Sequence, residues 1–260
     1  MKWTEIPAGE LHAAEQRLRV AFGDKASEVV GKINSDAAFA DSVAAQIIMM
    51  AGETDKSSTS LNPQWLRARE IMGKNMFGVE EAIRHFGVNP SKAQLAALAE
   101  IPFSEAVLTQ CKDTHVLVAI FPLSILEIRG KVKRGLFYSY EDSWYNKQAF
   151  AKDRGEVGWQ LVRKTPVDNS TSKNWAEQQA LLGKEDETPT AQVLVYTIIG
   201  QYLATGERLF EKIYVRTSSV VSDGGRVSLG DFGATGLKVF NYWDDIRHGG
   251  LAVSSARKSN

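Results

Sequence analysis

The chain is poor in the features that mark catalytic and nucleic-acid-binding proteins. Its single cysteine, Cys111, excludes a disulfide within the chain and any cysteine-rich metal cluster. Lysine plus arginine equals aspartate plus glutamate at 31 each. No net field therefore draws the chain toward a phosphate backbone or an anionic bilayer. No apolar run approaches the roughly 18 residues of a membrane span, and Met1-Lys2-Trp3-Thr4-Glu5-Ile6-Pro7 lacks the apolar stretch of a secretory signal. The expected location is the cytoplasm, or a phage-like particle assembled there, with neither membrane nor nucleic acid as partner.

Motifs of chemistry are equally scarce. The four histidines, His12, His85, His115 and His248, are scattered, and no two of them lie within four residues of each other. The pairs Gly224-Gly225 and Gly249-Gly250 read as turns, because no phosphate-binding loop or dinucleotide fingerprint surrounds them. Gly-x-Ser-x-Gly is absent, and Cys111 has no catalytic signature about it. The carboxylate pairs Asp244-Asp245 and Glu141-Asp142 could serve as acid and base, but adjacent carboxylates are more commonly solvated loop residues. No catalytic residue, metal or cofactor is expected.

What is present is enough apolar material for a core: 43% of 260 residues. The segment 1–51 is read as helical, from Leu11, Ala14, Leu18 and Phe22 on one face and Val29, Val30 and Ile33 after Gly23. A polar, turn-rich stretch at 52–63 reads as a linker. Short helices are expected at 64–72, 79–85, 92–98 and 104–111. The second and third flank Gly87-Val88-Asn89-Pro90, which admits a helix-turn-helix reading; packing helices are the simpler one.

From residue 112 the pattern changes. Strands are expected at 116–121, 157–164, 213–217, 226–232, 237–242 and 251–255, with Asp223-Gly224-Gly225 as a hairpin turn. Between them lie two helices, one opened by Asn174 with Glu177 three residues on, the other by Thr188-Pro189 and closed at Gly206; the second carries Ala191, Leu194, Val195, Ile198 and Tyr202 at spacings of three and four, a stripe expected to pack on a sheet. The fold class is α+β: an N-terminal helical region, then an antiparallel sheet with two helices over 112–260.

One stretch fits neither period, Phe240-Asn241-Tyr242-Trp243-Asp244-Asp245-Ile246-Arg247-His248-Gly249-Gly250. Aromatic residues beside Asn, Asp and Gly have the composition of a paratope, in which rigid rings supply contact area and short polar groups adapt. An irregular loop capped by one core tryptophan is the plainer alternative.

The segments Arg226-Val227-Ser228-Leu229-Gly230-Asp231-Phe232 and Gly236-Leu237-Lys238-Val239, then Trp243, Arg247 and the terminal Leu251-Ala252-Val253-Ser254-Ser255-Ala256-Arg257-Lys258, resemble the end of the variable proteins of diversity-generating retroelements. Gly158-Trp159-Gln160-Leu161-Val162 and Gly206-Glu207-Arg208-Leu209-Phe210 fit the same pattern. The resemblance spans 112–260 and leaves 1–60 unmatched; the export and lipoprotein signals of many members have no counterpart here. It implies a C-type lectin fold whose fixed strands display variable residues to a ligand, commonly a protein. In such systems asparagine codons of a template RNA are randomised at adenines. Phe240, Asn241, Tyr242, Asp244, Asp245, Ile246, His248 and Gly249 are all reachable in that way and are the expected ligand-binding residues. Trp243 is not reachable and is expected to be a fixed scaffold residue, whose truncation would open a cavity if it is buried; Arg247 is reachable but reads better as fixed. The same fold carries formylglycine-generating enzymes, an enzymatic alternative that needs cysteine chemistry. The N-terminal helices are available for homo-oligomerisation.

Overall fold

The structure, a computed structural model describing residues 25–36, 39, 62–139 and 142–259, divides into two units, Met1–Ser60 and Leu61–Asn260. In the first, α1 (Ala26–Ser35) carries Glu28 in its first turn and Lys32 in its last, each sign matched to the helix dipole. The remaining helices expected at 1–51, and nearly all of the linker expected at 52–63, lie outside the described residues. The division after Ser60 falls within that linker.

The larger unit begins with α2 (Pro63–Met72). Asn62 caps it by accepting from the Gln64 backbone N–H at 2.9 Å, and proline occupies the first turn, where its missing N–H costs nothing. A two-residue strand β1 (Met76–Phe77) follows, then α3 (Val79–Phe86), α4 (Lys92–Ala97) and α5 (Glu105–Cys111). Gly87 ends α3 at φ +57, a conformation that favours glycine.

These helices share one hydrophobic core with the rest of the unit. β1 pairs in parallel with β2 (His115–Ile120). The rings of Phe77 and Phe86 pack 5.9 and 4.6 Å from that of Tyr196, and Trp65 meets Trp159 edge-on at 6.2 Å. No break in packing therefore coincides with the boundary expected at residue 112. Helices this short are marginal alone and stand only against a partner surface.

Beyond β2 come α6 (Ile125–Lys131), α7 (Ala149–Lys152), β3 (Gly158–Arg163), α8 (Trp175–Gln179), β4 (Asp186–Glu187), α9 (Ala191–Thr205), β5 (Tyr214–Val220), β6 (Arg226–Gly233), β7 (Gly236–Tyr242), β8 (Leu251–Val253) and β9 (Ala256–Arg257). Two sheets result, in the orders β1-β2-β3-β9-β4 and β7-β6-β5-β8. Both are mostly antiparallel; only β1 with β2 and β5 with β8 run parallel. The chain is thus of the α+β class. α9 was expected to lay one stripe on a sheet. It is instead buried on nearly every side between Ala191 and Gln201 and packs against strands of both sheets, as a helix apolar all round should.

Candidate functional site

The site grows from the alternation of β7. Leu237 and Val239 point into the core, while Lys238, Phe240 and Tyr242 point the other way. In register, Phe240 faces Ser228 of β6, which faces Arg216 of β5; Lys238 faces Gly230, which faces Tyr214. The outer face of the four-stranded sheet therefore carries Tyr214, Phe240 and Tyr242 side by side. Their ring centroids lie 6.2, 6.2 and 5.1 Å apart, within the range of mutually attractive aromatic pairs. Phe240 remains 47% exposed. Tyr138 extends the ledge, its ring 5.1 Å below the Lys238 ammonium, and Lys238 also pairs with Asp231 at 2.5 Å. Burial among these rings raises the pKa of the Tyr214 hydroxyl.

The free edge of β7 is closed from outside. Phe137 bridges to Leu237, the Tyr138 N–H donates to the Leu237 carbonyl at 3.1 Å, and the Trp144 indole N–H donates to the Val239 carbonyl at 3.0 Å. An exposed strand edge invites pairing with other chains. Here only the face of the strand is offered.

Beyond Tyr242 the chain leaves the sheet and loops back over β5. The buried guanidinium of Arg216 holds this loop. It donates to the carbonyls of Trp243 and Ile246, both at 2.9 Å, to the Lys173 carbonyl at 3.2 Å and to Gln178 Oε1 at 2.9 Å. Burial lowers the pKa of Arg216, and nearby Asp244 opposes that shift. Further bonds reach the loop at its backbone: Trp175 N–H to the Asp244 carbonyl at 2.8 Å, Ser172 N–H to the His248 carbonyl at 3.1 Å, and Tyr214 N–H to the Gly250 carbonyl at 3.0 Å. α8 lies beneath, started by Asn174 and Glu177 bonding each other's backbone N–H at 2.9 Å, as the capping box predicts.

Two loop side chains join the scaffold. Asp244 grips Arg226 through both oxygens, at 2.7 and 2.9 Å, and the Arg226 guanidinium lies 3.7 Å from the Trp175 ring centroid. Arg247 grips Glu177 at 3.1 and 2.9 Å and, with the Asn174 N–H, holds that carboxyl at a pKa of about 2.

The eight expected ligand-binding residues divide accordingly. Phe240 and Tyr242 stand together on the sheet face, and Asp245, Ile246, His248 and Gly249 are exposed on the loop beside them. Asn241 belongs by alternation to the opposite face, near the hairpin turn, where a Cβ on Gly225 would lie 3.3 Å from its Oδ1. Asp244 is half-exposed and engaged with Arg226. The expectation for Trp243 is corrected. Its ring is 53% exposed, over Gly224 of the hairpin turn, because the chain turns off the sheet there and Arg216 holds its carbonyl, leaving the ring outside.

Residues that hold the loop, Arg216, Gln178, Trp175 and Arg226, were not singled out from sequence, nor were the ledge tyrosines Tyr138 and Tyr214. The only local signal was that β5 carries an arginine flanked by Val215 and Thr217, a charge in an otherwise buried stretch. Among the described residues no group of three or more His, Cys, Asp or Glu side chains is placed to hold a metal, and no helix is long and apolar enough to cross a membrane. The helix-turn-helix reading meets a second helix of six residues, α4, whose single basic side chain is Lys92. Cys111 is buried at the end of α5, its pKa raised by that burial. No protein-family model, curated protein or solved structure matches the chain.

Proposed function

We propose that this chain is a non-enzymatic ligand-binding protein of the retroelement-diversified kind, with a C-type-lectin-like C-terminal domain that offers Phe240, Tyr242, Asp245, Ile246, His248 and Gly249 to a protein ligand. The observation that carries this reading is how the loop is fastened. Arg216, Trp175, Ser172 and Tyr214 all bond main-chain carbonyls of residues 243–250. A loop held mainly by its backbone keeps its shape while most of its side chains change, which is what a diversified surface requires. The two loop side chains that bond the scaffold, Asp244 and Arg247, are then expected to be invariant, whereas His248 Nδ1 accepts only from Gly250 N–H within the loop. The exposed ledge gives such a face its affinity, since a few aromatic anchors dominate protein interfaces.

The test is genetic and needs no ligand. The DNA near the gene should contain a near-identical copy of the segment encoding the C-terminus, differing at adenines, beside a reverse transcriptase gene. Its mismatches should cover codons 240, 242, 245, 246, 248 and 249 and spare 216, 226, 244 and 247. A copy whose mismatches fell mainly on the scaffold codons, or a genome with no such copy, would overturn the proposal.

A further inference from the structure

A second concave surface on the Leu61–Asn260 unit shares no residue with the aromatic face. Where α2 and the chain entering α5 face the start of β3, a cleft of about 1300 Å³ opens. Its apolar lining includes Ala68, Ile101, Phe103, Leu108, Ile120 and Trp159. The Trp159 indole N–H already donates to the Leu98 carbonyl at 2.8 Å, so this residue offers the cleft its ring rather than a donor.

One polar group in the lining is unmatched. Gln192, 1% exposed, donates from Nε2 to the Leu123 carbonyl at 2.8 Å, which fixes the amide's orientation; its buried Oε1 has no partner. Gly155 also lines the cleft and stands so close that a Cβ there would meet this oxygen at 2.8 Å. A buried acceptor left without a donor is unfavourable, and a ligand N–H reverses that.

The rim is mainly acidic. Glu100, Asp153 and Glu156 are exposed and form no ion pair with another described residue. The single basic residue of the lining, Arg67, is held between Glu70 and Glu105 at 2.9 and 3.0 Å. The volume exceeds the roughly 300–1,000 Å³ of small-molecule pockets, and the apolar floor favours a ligand with carbon to bury over a bare polyamine.

We propose that this cleft binds an extended lysine- or arginine-bearing peptide, with an N–H meeting Gln192 Oε1 and its cations meeting Glu100, Asp153 and Glu156. The site is independent of the aromatic face and of its reading. The test is fluorescence anisotropy of the full chain with a labelled peptide of alternating lysine and leucine, against one of alternating glutamate and leucine. The basic peptide should bind, more weakly as salt rises, and the acidic one should not. The variant Glu100→Gln/Asp153→Asn/Glu156→Gln, on exposed positions that leave folding intact, should weaken binding at least tenfold. Gln192→Met should weaken it several-fold, and Phe240→Ala/Tyr242→Ala should leave it unchanged. Equal binding of both peptides, no binding, indifference to either cleft variant, or loss in the Phe240/Tyr242 variant would each refute the proposal.

Discussion

The two sheets of the larger unit use the same backbone pattern to opposite ends. In the five-stranded sheet, β2 is buried at every position from His115 to Ile120, so each side chain is tied to its neighbours by volume. In the four-stranded sheet one face packs on α9 and the other carries Tyr214, Phe240 and Tyr242 into solvent. A strand closed on both faces can only stabilise. A strand closed on one face can also recognise, provided that its edge is capped and its exposed side chains carry none of the fold. The comparison turns on what happens when each kind of residue is removed.

The largest effect is expected at Arg216, the point where stability and display meet. Arg216→Met leaves the Trp243, Ile246 and Lys173 carbonyls and Gln178 Oε1 without their donor. Orphaning buried partners of a charged group costs about 3–5 kcal/mol, which urea denaturation will measure. Arg216→Lys should recover little, because an ammonium cannot span acceptors spread over two chain segments. A loss below about 1 kcal/mol would show that the loop is held by something else.

A comparable effect is expected in the closed sheet, but as a pH dependence. Burial, with Arg257 and Arg163 nearby, lowers the pKa of His115 to about 4 from an ordinary 6.5. Between those values the unfolded chain binds a proton that the folded chain refuses. The stability linked to His115 is therefore complete above pH 6.5 and lost as the pH falls toward 4, on the order of 3 kcal/mol. Denaturation midpoints at pH 7 and pH 4.5 should converge in His115→Gln. Equal pH dependence in wild type and variant would assign the effect to another group.

The ledge should give the reverse pattern. Phe240→Ala or Tyr242→Ala should weaken ligand binding by about 2 kcal/mol or more while changing folding stability by under about 1 kcal/mol, since the Phe240 ring is half in solvent. Trp243→Ala belongs with them: at 53% exposure its truncation should cost about 1 kcal/mol or less, far below the roughly 3–5 kcal/mol of a core tryptophan. A large loss of stability in any of these three would place the side chain in the core and end the contrast between the sheets.

Much of this contrast was legible in the sequence, for reasons of range. The strands at β6 and β7, the Asp223-Gly224-Gly225 turn and the Asn174–Glu177 box are local, and each is present. The Ser124–Glu127 box that starts α6 is equally local. What could not be read were groupings that depend on distant contacts. Arg216 reaches 27 and 30 residues along the chain to Trp243 and Ile246, and Tyr138 reaches the ledge only because the chain at Phe137 bridges to Leu237. The exposure of Trp243 was misjudged because residue type set the expectation, whereas the direction of the turn decides it.

The smallest expected effect is at Arg247, and it isolates the loop from the sheet. Arg247 and Asn174 hold the Glu177 carboxyl at a pKa of about 2, below its ordinary 4.5. Because the folded pKa is the lower one, the contribution of this contact is present above pH 4.5 and fades as the pH falls toward 2. Both partners are near half exposed, so Arg247→Ala should move the overall unfolding midpoint little. A carbon-detected NMR titration should show the Glu177 carboxyl returning toward its ordinary range in that variant, with amide exchange of residues 245–249 speeding up and that of β6 and β7 unchanged. If exchange rose equally through the sheet, loop and sheet would open as one cooperative unit. The loop's side chains could not then vary without cost to the fold.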